Sequence, residues 1–167
     1  MALNRGIPLV ALLSLAIAAC SSDGGSGGTP SRTTVASAHA GFGAPSAASI
    51  VVTEVDEVFF QTPSKNIFCD LSASAVRCDI ITKSWSPPAK PSSCELDWGY
   101  GMHITAGKAG FTCAGDTLIG TATVTLEYGH ADRSGSVRCT SQSSGLTCRD
   151  EKTGRGFTLA IARYSLF

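Results

Sequence analysis

The sequence lacks the short signatures from which an activity is usually read. It has no His-Glu-x-x-His, no Ser-x-x-Lys and, after residue 49, no Gly-x-Ser-x-Gly, so neither a zinc protease nor a serine hydrolase announces itself. Cys-x-x-Cys and zinc-finger spacings of Cys and His are missing, which removes the usual dithiol redox and structural metal motifs. Thirteen basic and thirteen acidic residues are scattered without long runs of one sign, leaving no basic stripe to follow a phosphate backbone. Nucleic acid is therefore not an expected partner. Methionine is scarce, with Met102-His103 as the one soft pair in the domain, too few ligands for copper, and no cofactor is implied. No segment carries a stripe at helical spacing, and the one apolar run, Ile7 to Ala19, is too short to span a bilayer as a helix.

What is present begins as an address. Arg5, the apolar run and the small residues before Cys20 follow the order of a signal peptide. Ile17-Ala18-Ala19-Cys20 resembles the bacterial lipobox, in which the thiol receives a diacylglyceryl group and the chain is cut before it. The expectation is a signal peptide at 1–19, a lipidated Cys20 opening a Ser/Gly/Ala/Pro-rich tether at 20–49, and a β domain at 50–167. The competing expectation is secretory cleavage near Ala38-His39-Ala40, which would discard Cys20. Cysteine arithmetic favours the lipobox, because seven is odd and removing Cys20 leaves six to pair. Two acyl chains anchor stably where one does not. The tether is too poor in large apolar residues to fold; its root-mean-square reach of roughly 30 Å holds the domain just clear of the headgroups.

The domain contains an internal repeat. Ile67-Phe68-Cys69 with Val76-Arg77-Cys78 recurs seventy residues later as Val137-Arg138-Cys139 with Leu146-Thr147-Cys148. Each copy reads as two short antiparallel strands and a turn, with each cysteine on the face of its apolar neighbour two residues away. Six cysteines permit many pairings; the repeat favours Cys69 with Cys78 and Cys139 with Cys148, which leaves Cys94 for Cys113. Ile50 to Phe60 reads as a strand; Val124, Leu126 and Tyr128 share one strand face, and Phe157, Leu159 and Ile161 another. The fold class is all-β: a small disulfide-stapled barrel or sandwich built around two related hairpins.

Several ordered blocks carry a family resemblance: Phe59 to Cys69, Val76-Arg77-Cys78-Asp79-Ile80, Cys94-Glu95-Leu96-Asp97-Trp98-Gly99, Cys113 to Thr117 and Gly154-Arg155-Gly156-Phe157. They resemble a family of uncharacterised actinobacterial (mycobacterial-type) secreted proteins and lipoproteins carrying a domain of unknown function. The resemblance runs from about Phe59 to Phe167 and implies a cell-envelope setting but no activity. Against that pattern the chain has Lys65 where Gly is usual and Arg155 where His is usual, which removes a histidine as a general base there. The retained Gly-x-Gly-Phe turn points to a backbone role.

Candidate chemistry is sparse. His103 and His130 are the domain histidines, and His130 follows Tyr128-Gly129 in an expected turn. Asp70, Asp79, Asp97, Asp116 and Glu95 could supply the carboxylate pair of a glycoside hydrolase. Asp79 alternates away from Cys78 and reads as solvated or turn-capping, and Asp116-Thr117 as an Asx-type turn. Trp85-Ser86-Pro87-Pro88-Ala89-Lys90-Pro91 reads as a stiff connector. Trp85, Trp98 and Tyr100 are the residues to test for ligand contact, since flat aromatics stack on sugars and anchor interfaces, with core packing the alternative for either Trp. The expected function is a membrane-anchored, non-catalytic module on the extracytoplasmic face, binding an envelope glycan, a lipid or an exported protein. The alternative is an envelope hydrolase using two carboxylates.

Overall fold

The computed structural model describes residues 49–167. Cys20 and nearly all of the expected tether lie outside the described residues. Among these residues there is no helix; twelve strands run β1 Val51–Glu54, β2 Val58–Gln61, β3 Ile67–Ser72, β4 Ala75–Ile80, β5 Asp97–Thr105, β6 Lys108–Ala114, β7 Val124–Thr125, β8 His130–Ser134, β9 Val137–Gln142, β10 Gly145–Asp150, β11 Gly156–Leu159 and β12 Tyr164–Leu166. They form two six-stranded sheets, an N-terminal one ordered β6-β5-β4-β3-β2-β7 and a C-terminal one ordered β1-β8-β9-β10-β11-β12. Neither closes on itself, and the fold is a sandwich.

The repeat seen in sequence is a repeat of topology. Strands β2 to β6 make five antiparallel neighbours in one sheet and β8 to β12 do so in the other. The strand that precedes each set crosses over: β1 pairs parallel with β8, and β7 pairs parallel with β2. Each half thus lends its first strand to the other half's sheet, so neither sheet is completed without both halves. Ile50 to Phe60 is accordingly not one strand. The acidic Asp56-Glu57 bend breaks it, and its two parts lie in different sheets.

The cysteine hairpins form as the repeat demands. Cys69 lies directly opposite Cys78, and Cys139 opposite Cys148, with Cα separations of 4.1 and 4.0 Å; Cys94 is bonded to Cys113. All four hairpin cysteines are fully buried and belong to one apolar cluster with Phe60, Leu71, Met102, Leu146, Phe157 and Leu159. In that cluster the inward rows of the two sheets meet. Period-two alternation therefore predicted the inward face of these strands. It held less well where pairing ends: Leu126 is buried while Val124 and Tyr128 are exposed, because β7 is only two residues long, and Ile161 turns outward once β11 stops at Leu159.

An aromatic cluster fills the space between the β5–β6 and β11–β12 ends. Trp85 packs 4.7 Å from Tyr164 and 6.1 Å from Phe111, and Trp98 lies 5.5 Å from Phe111. The Trp85 indole N–H donates to the Ala160 carbonyl at 2.8 Å, and that of Trp98 to the Pro88 carbonyl at 3.0 Å. The proline-rich connector thus lies along β5, with Pro87 over Gly99, where a Cβ would meet it at 2.4 Å. Lys65 sits in the hairpin turn with φ 55°, a conformation that costs a β-carbon and suits glycine.

Candidate functional site

Because Cys78 points into the core, its neighbours Arg77 and Asp79 point to the outer face of the N-terminal sheet. Register sets Arg77 between Asp70 and His103, and Asp79 between Phe68 and Gly101. Gly101 is required by that arrangement: a Cβ there would stand 2.4 Å from Asp79 Oδ1 and 2.6 Å from the Cys78 carbonyl oxygen.

The chain then covers this face. Residues 115–123 leave β6 at one edge of the sheet and enter β7 at the opposite edge, so they must cross the outer face as a strap. Leu118 is its buried anchor. Asp79 accepts the Leu118 backbone N–H at 2.9 Å and receives Arg77 Nε and Nη2 at 3.1 and 2.9 Å. Arg77 in turn donates to the Asp116 carboxylate at 2.7 Å and to the Asp116 carbonyl at 2.8 Å. Asp79 is thus buried, with 4% of its surface exposed, and not the solvated or turn-capping residue that alternation suggested. Its strap partner comes from thirty-nine residues downstream. The turn bond at Asp116-Thr117 is made by the Thr117 hydroxyl, which accepts from Ile119 N–H, while the Asp116 side chain is committed to Arg77.

Beside the strap lies a cleft of about 380 Å³, within the range of small-ligand sites. Arg77, Asp79, Asp97 and Asp116 provide its charged wall. Ile81, Tyr100 and Ile119 provide an apolar rim whose side chains remain substantially exposed. Thr112 also lines it, and the buried Thr112 hydroxyl has no hydrogen-bond partner in the protein. The Lys83 ammonium stands 4.5 Å over the Tyr100 ring.

Of the three aromatics singled out by sequence, Tyr100 is therefore the one on the cleft. Trp85 and Trp98 pack in the aromatic cluster against Phe111. Of the five carboxylates, the structure brings Asp79, Asp97 and Asp116 together, whereas Asp70 and Glu95 do not line the cleft. Arg77 holds the Asp116 carboxyl below its ordinary range, first by hydrogen bond and then by charge. A general acid needs the opposite shift, and both oxygens of Asp79 already face Arg77. In this cluster Asp79 and Asp116 are committed to pinning the strap through Arg77.

Outside the cleft, burial lowers the pKa of half-buried His103, and the Arg77 charge adds to it; His130 is exposed at the start of β8. A carboxylate that sequence reading passed over is Asp132. It is buried at the edge between the sheets, burial raises its pKa, and it lines a hollow of about 310 Å³ with Glu127 and His130. Among the described residues no group of three or more His, Cys, Asp or Glu side chains is placed to hold a metal ion.

Asp70 supplies a pH-dependent prediction. One of its oxygens is buried without a partner, and its pKa is raised above 3.8 by burial and then by Glu57, against the pull of Arg77. A raised carboxyl contributes stability that is present below the unfolded pKa and lost as pH rises through the folded one. Asp70→Asn is therefore expected to melt higher than wild type at pH 7, with the difference closing as pH falls through the carboxylate range. Thermal melts at pH 7 and at about pH 3 check it; a lower melting temperature for the variant at pH 7 would refute the assignment.

No curated protein and no solved structure matches the chain. A family model does, over residues 42–167, which takes in every described strand, and the chain belongs to DUF6636, a family of unknown function.

Proposed function

We propose that this protein is a membrane-tethered, non-catalytic binding module of an actinobacterial cell envelope, anchored through lipid on Cys20 and presenting the strapped cleft of its N-terminal sheet to an envelope glycan, lipid or exported protein. The observation that carries the reading is the cleft itself. It combines an exposed apolar and aromatic rim with a charged wall in which Arg77 ties up Asp79 and Asp116. Disulfides and the exchanged strands make the platform rigid, which limits the ordering cost of binding.

Two measurements test the two parts. Cys20→Ala should move the protein from the membrane to the soluble fraction, and retention on the membrane would refute the anchor. A ligand that binds only the folded state raises its stability by mass action. Solubilised envelope material should therefore raise the melting temperature of the full chain but not of Ile119→Asp, which places a charge on the rim; equal shifts in both would refute the cleft.

A second reading, hydrolysis by two carboxylates, has one observation in its favour: Asp132, with its raised pKa, shares a hollow with Glu127. It requires release of soluble product from envelope polysaccharide that Asp132→Asn abolishes. Absence of release from the wild type removes it.

A further inference from the structure

Charge and hydrogen bonding in the cleft narrow the class of ligand that fits it. Taking the cleft as the binding site proposed above, we infer that it takes a neutral, polyhydroxylated ring, the unit of an uncharged glycan, in preference to an anion, a cation or an acyl chain.

Anions are disfavoured by the wall. Three carboxylates, Asp79, Asp97 and Asp116, share the cleft with one guanidinium, and Arg77 already spends Nε, Nη1 and Nη2 on Asp79 and Asp116. A phosphate or carboxylate entering here meets three carboxylates against the two cations Arg77 and Lys83, and no unengaged guanidinium edge.

A cation meets the opposite obstacle. The Lys83 ammonium stands 4.5 Å over Tyr100 and 5.2 Å over Trp85, so the position in which an aromatic ring holds a cation is occupied by the protein's own. A second cation would be set against the first.

An acyl chain would satisfy the rim of Ile81, Tyr100 and Ile119 but cover the exposed Asp97 and Asp116 carboxylates without replacing their water. Each such buried polar group costs about 1–3 kcal/mol, and more when charged. Hydrocarbon is thereby penalised at the floor for what it gains at the rim.

A neutral sugar ring meets each demand. Its hydroxyls donate to the exposed Asp97 and Asp116 carboxylates as charge-assisted hydrogen bonds. Its C–H face packs on Tyr100, which stays 62% exposed with the ammonium in place.

The test is chemical-shift mapping on the isotope-labelled full chain, titrated with short neutral gluco-, manno-, galacto- and arabino-oligosaccharides, with phosphorylated and amino counterparts of the same sugars, and with phosphatidylcholine vesicles. The expected result is saturable shifts at cleft residues with at least one neutral oligosaccharide and affinity at least about tenfold weaker for its charged counterparts. Tyr100→Ala should weaken that binding about tenfold or more, while Tyr128→Ala, an exposed tyrosine bordering a different hollow, should not change it. Tighter binding of charged sugars, or cleft shifts with vesicles alone, would overturn the sugar assignment and keep the cleft. No cleft shifts with any of these probes would overturn the sugar assignment. If solubilised envelope material also left the cleft unmoved, the cleft reading would fall with it.

Discussion

Replacing Cys69 and Cys78 together by alanine is expected to lower the unfolding free energy by about 4 kcal/mol, more than the roughly 3 kcal/mol expected for replacing Cys94 and Cys113. Loop closure alone ranks them the other way. The hairpin bridge closes a sequence separation of 9 and the Cys94–Cys113 bridge one of 19, and chain entropy gives about 2.7 against about 3.3 kcal/mol. Burial reverses the order. Cys69 and Cys78 are fully buried where the inward rows of both sheets meet, so their removal leaves a cavity as well. Cys94 is buried but Cys113 is exposed, so removing that pair leaves the smaller void. Cys139 and Cys148 are buried in the same cluster and should behave as Cys69 and Cys78 do. Removing both hairpin bridges would then cost about 8 kcal/mol, comparable with the whole stability of a small domain, and that variant should not fold. Urea unfolding midpoints decide the matter; a larger loss for the Cys94–Cys113 pair would show that loop entropy, not the shared core, dominates.

Asp79→Ala is the second large effect, expected at about 3–5 kcal/mol. The substitution strips Arg77 of its more buried partner and leaves the Leu118 N–H facing the sheet with nothing to accept it. Asp79→Asn keeps an acceptor for Leu118 and loses the charge, so it should cost less, roughly 1.5–3 kcal/mol. Asp116→Asn should cost under about 1 kcal/mol, because that carboxylate is 76% exposed and an exposed pair is worth little. Amide exchange separates these cases further. In Asp79→Ala the Leu118 amide should lose protection while β3 and β4 keep theirs. Equal losses for Asp79→Ala and Asp116→Asn would contradict the strap.

How much of this was legible depends on the range of the interaction involved. The hairpin repeat, the inward cysteines and the all-β class are local consequences of period-two alternation, and they were readable. The exchange of β1 and β7 between halves was not. Alternation marks a strand from Val124 to Tyr128, but no pattern links it to β2, whose Phe60 pairs with Val124 sixty-four residues later. Asp79 was misplaced for the same reason: alternation put it on the outer face correctly, but only the strap, arriving from residue 118, makes that face an interior. Sequence raised Trp85, Trp98 and Tyr100 alike, since an aromatic near a turn looks the same whether it packs or projects. The aromatic cluster around Phe111 claims the two tryptophans and leaves Tyr100 on the cleft. Thr112 carried no signal at all; a hydroxyl without a partner is visible only once its neighbours are placed.

The most direct measurement of the central claim, that the strapped cleft is where this protein meets its ligand, is photocrosslinking in intact cells. Ile119→p-benzoylphenylalanine places the probe on the cleft rim, and Arg149→p-benzoylphenylalanine places it on the exposed outer face of the C-terminal sheet. The predicted result is a glycan-staining adduct from position 119 and none from position 149. Adducts from position 149 with none from position 119 would contradict the claim.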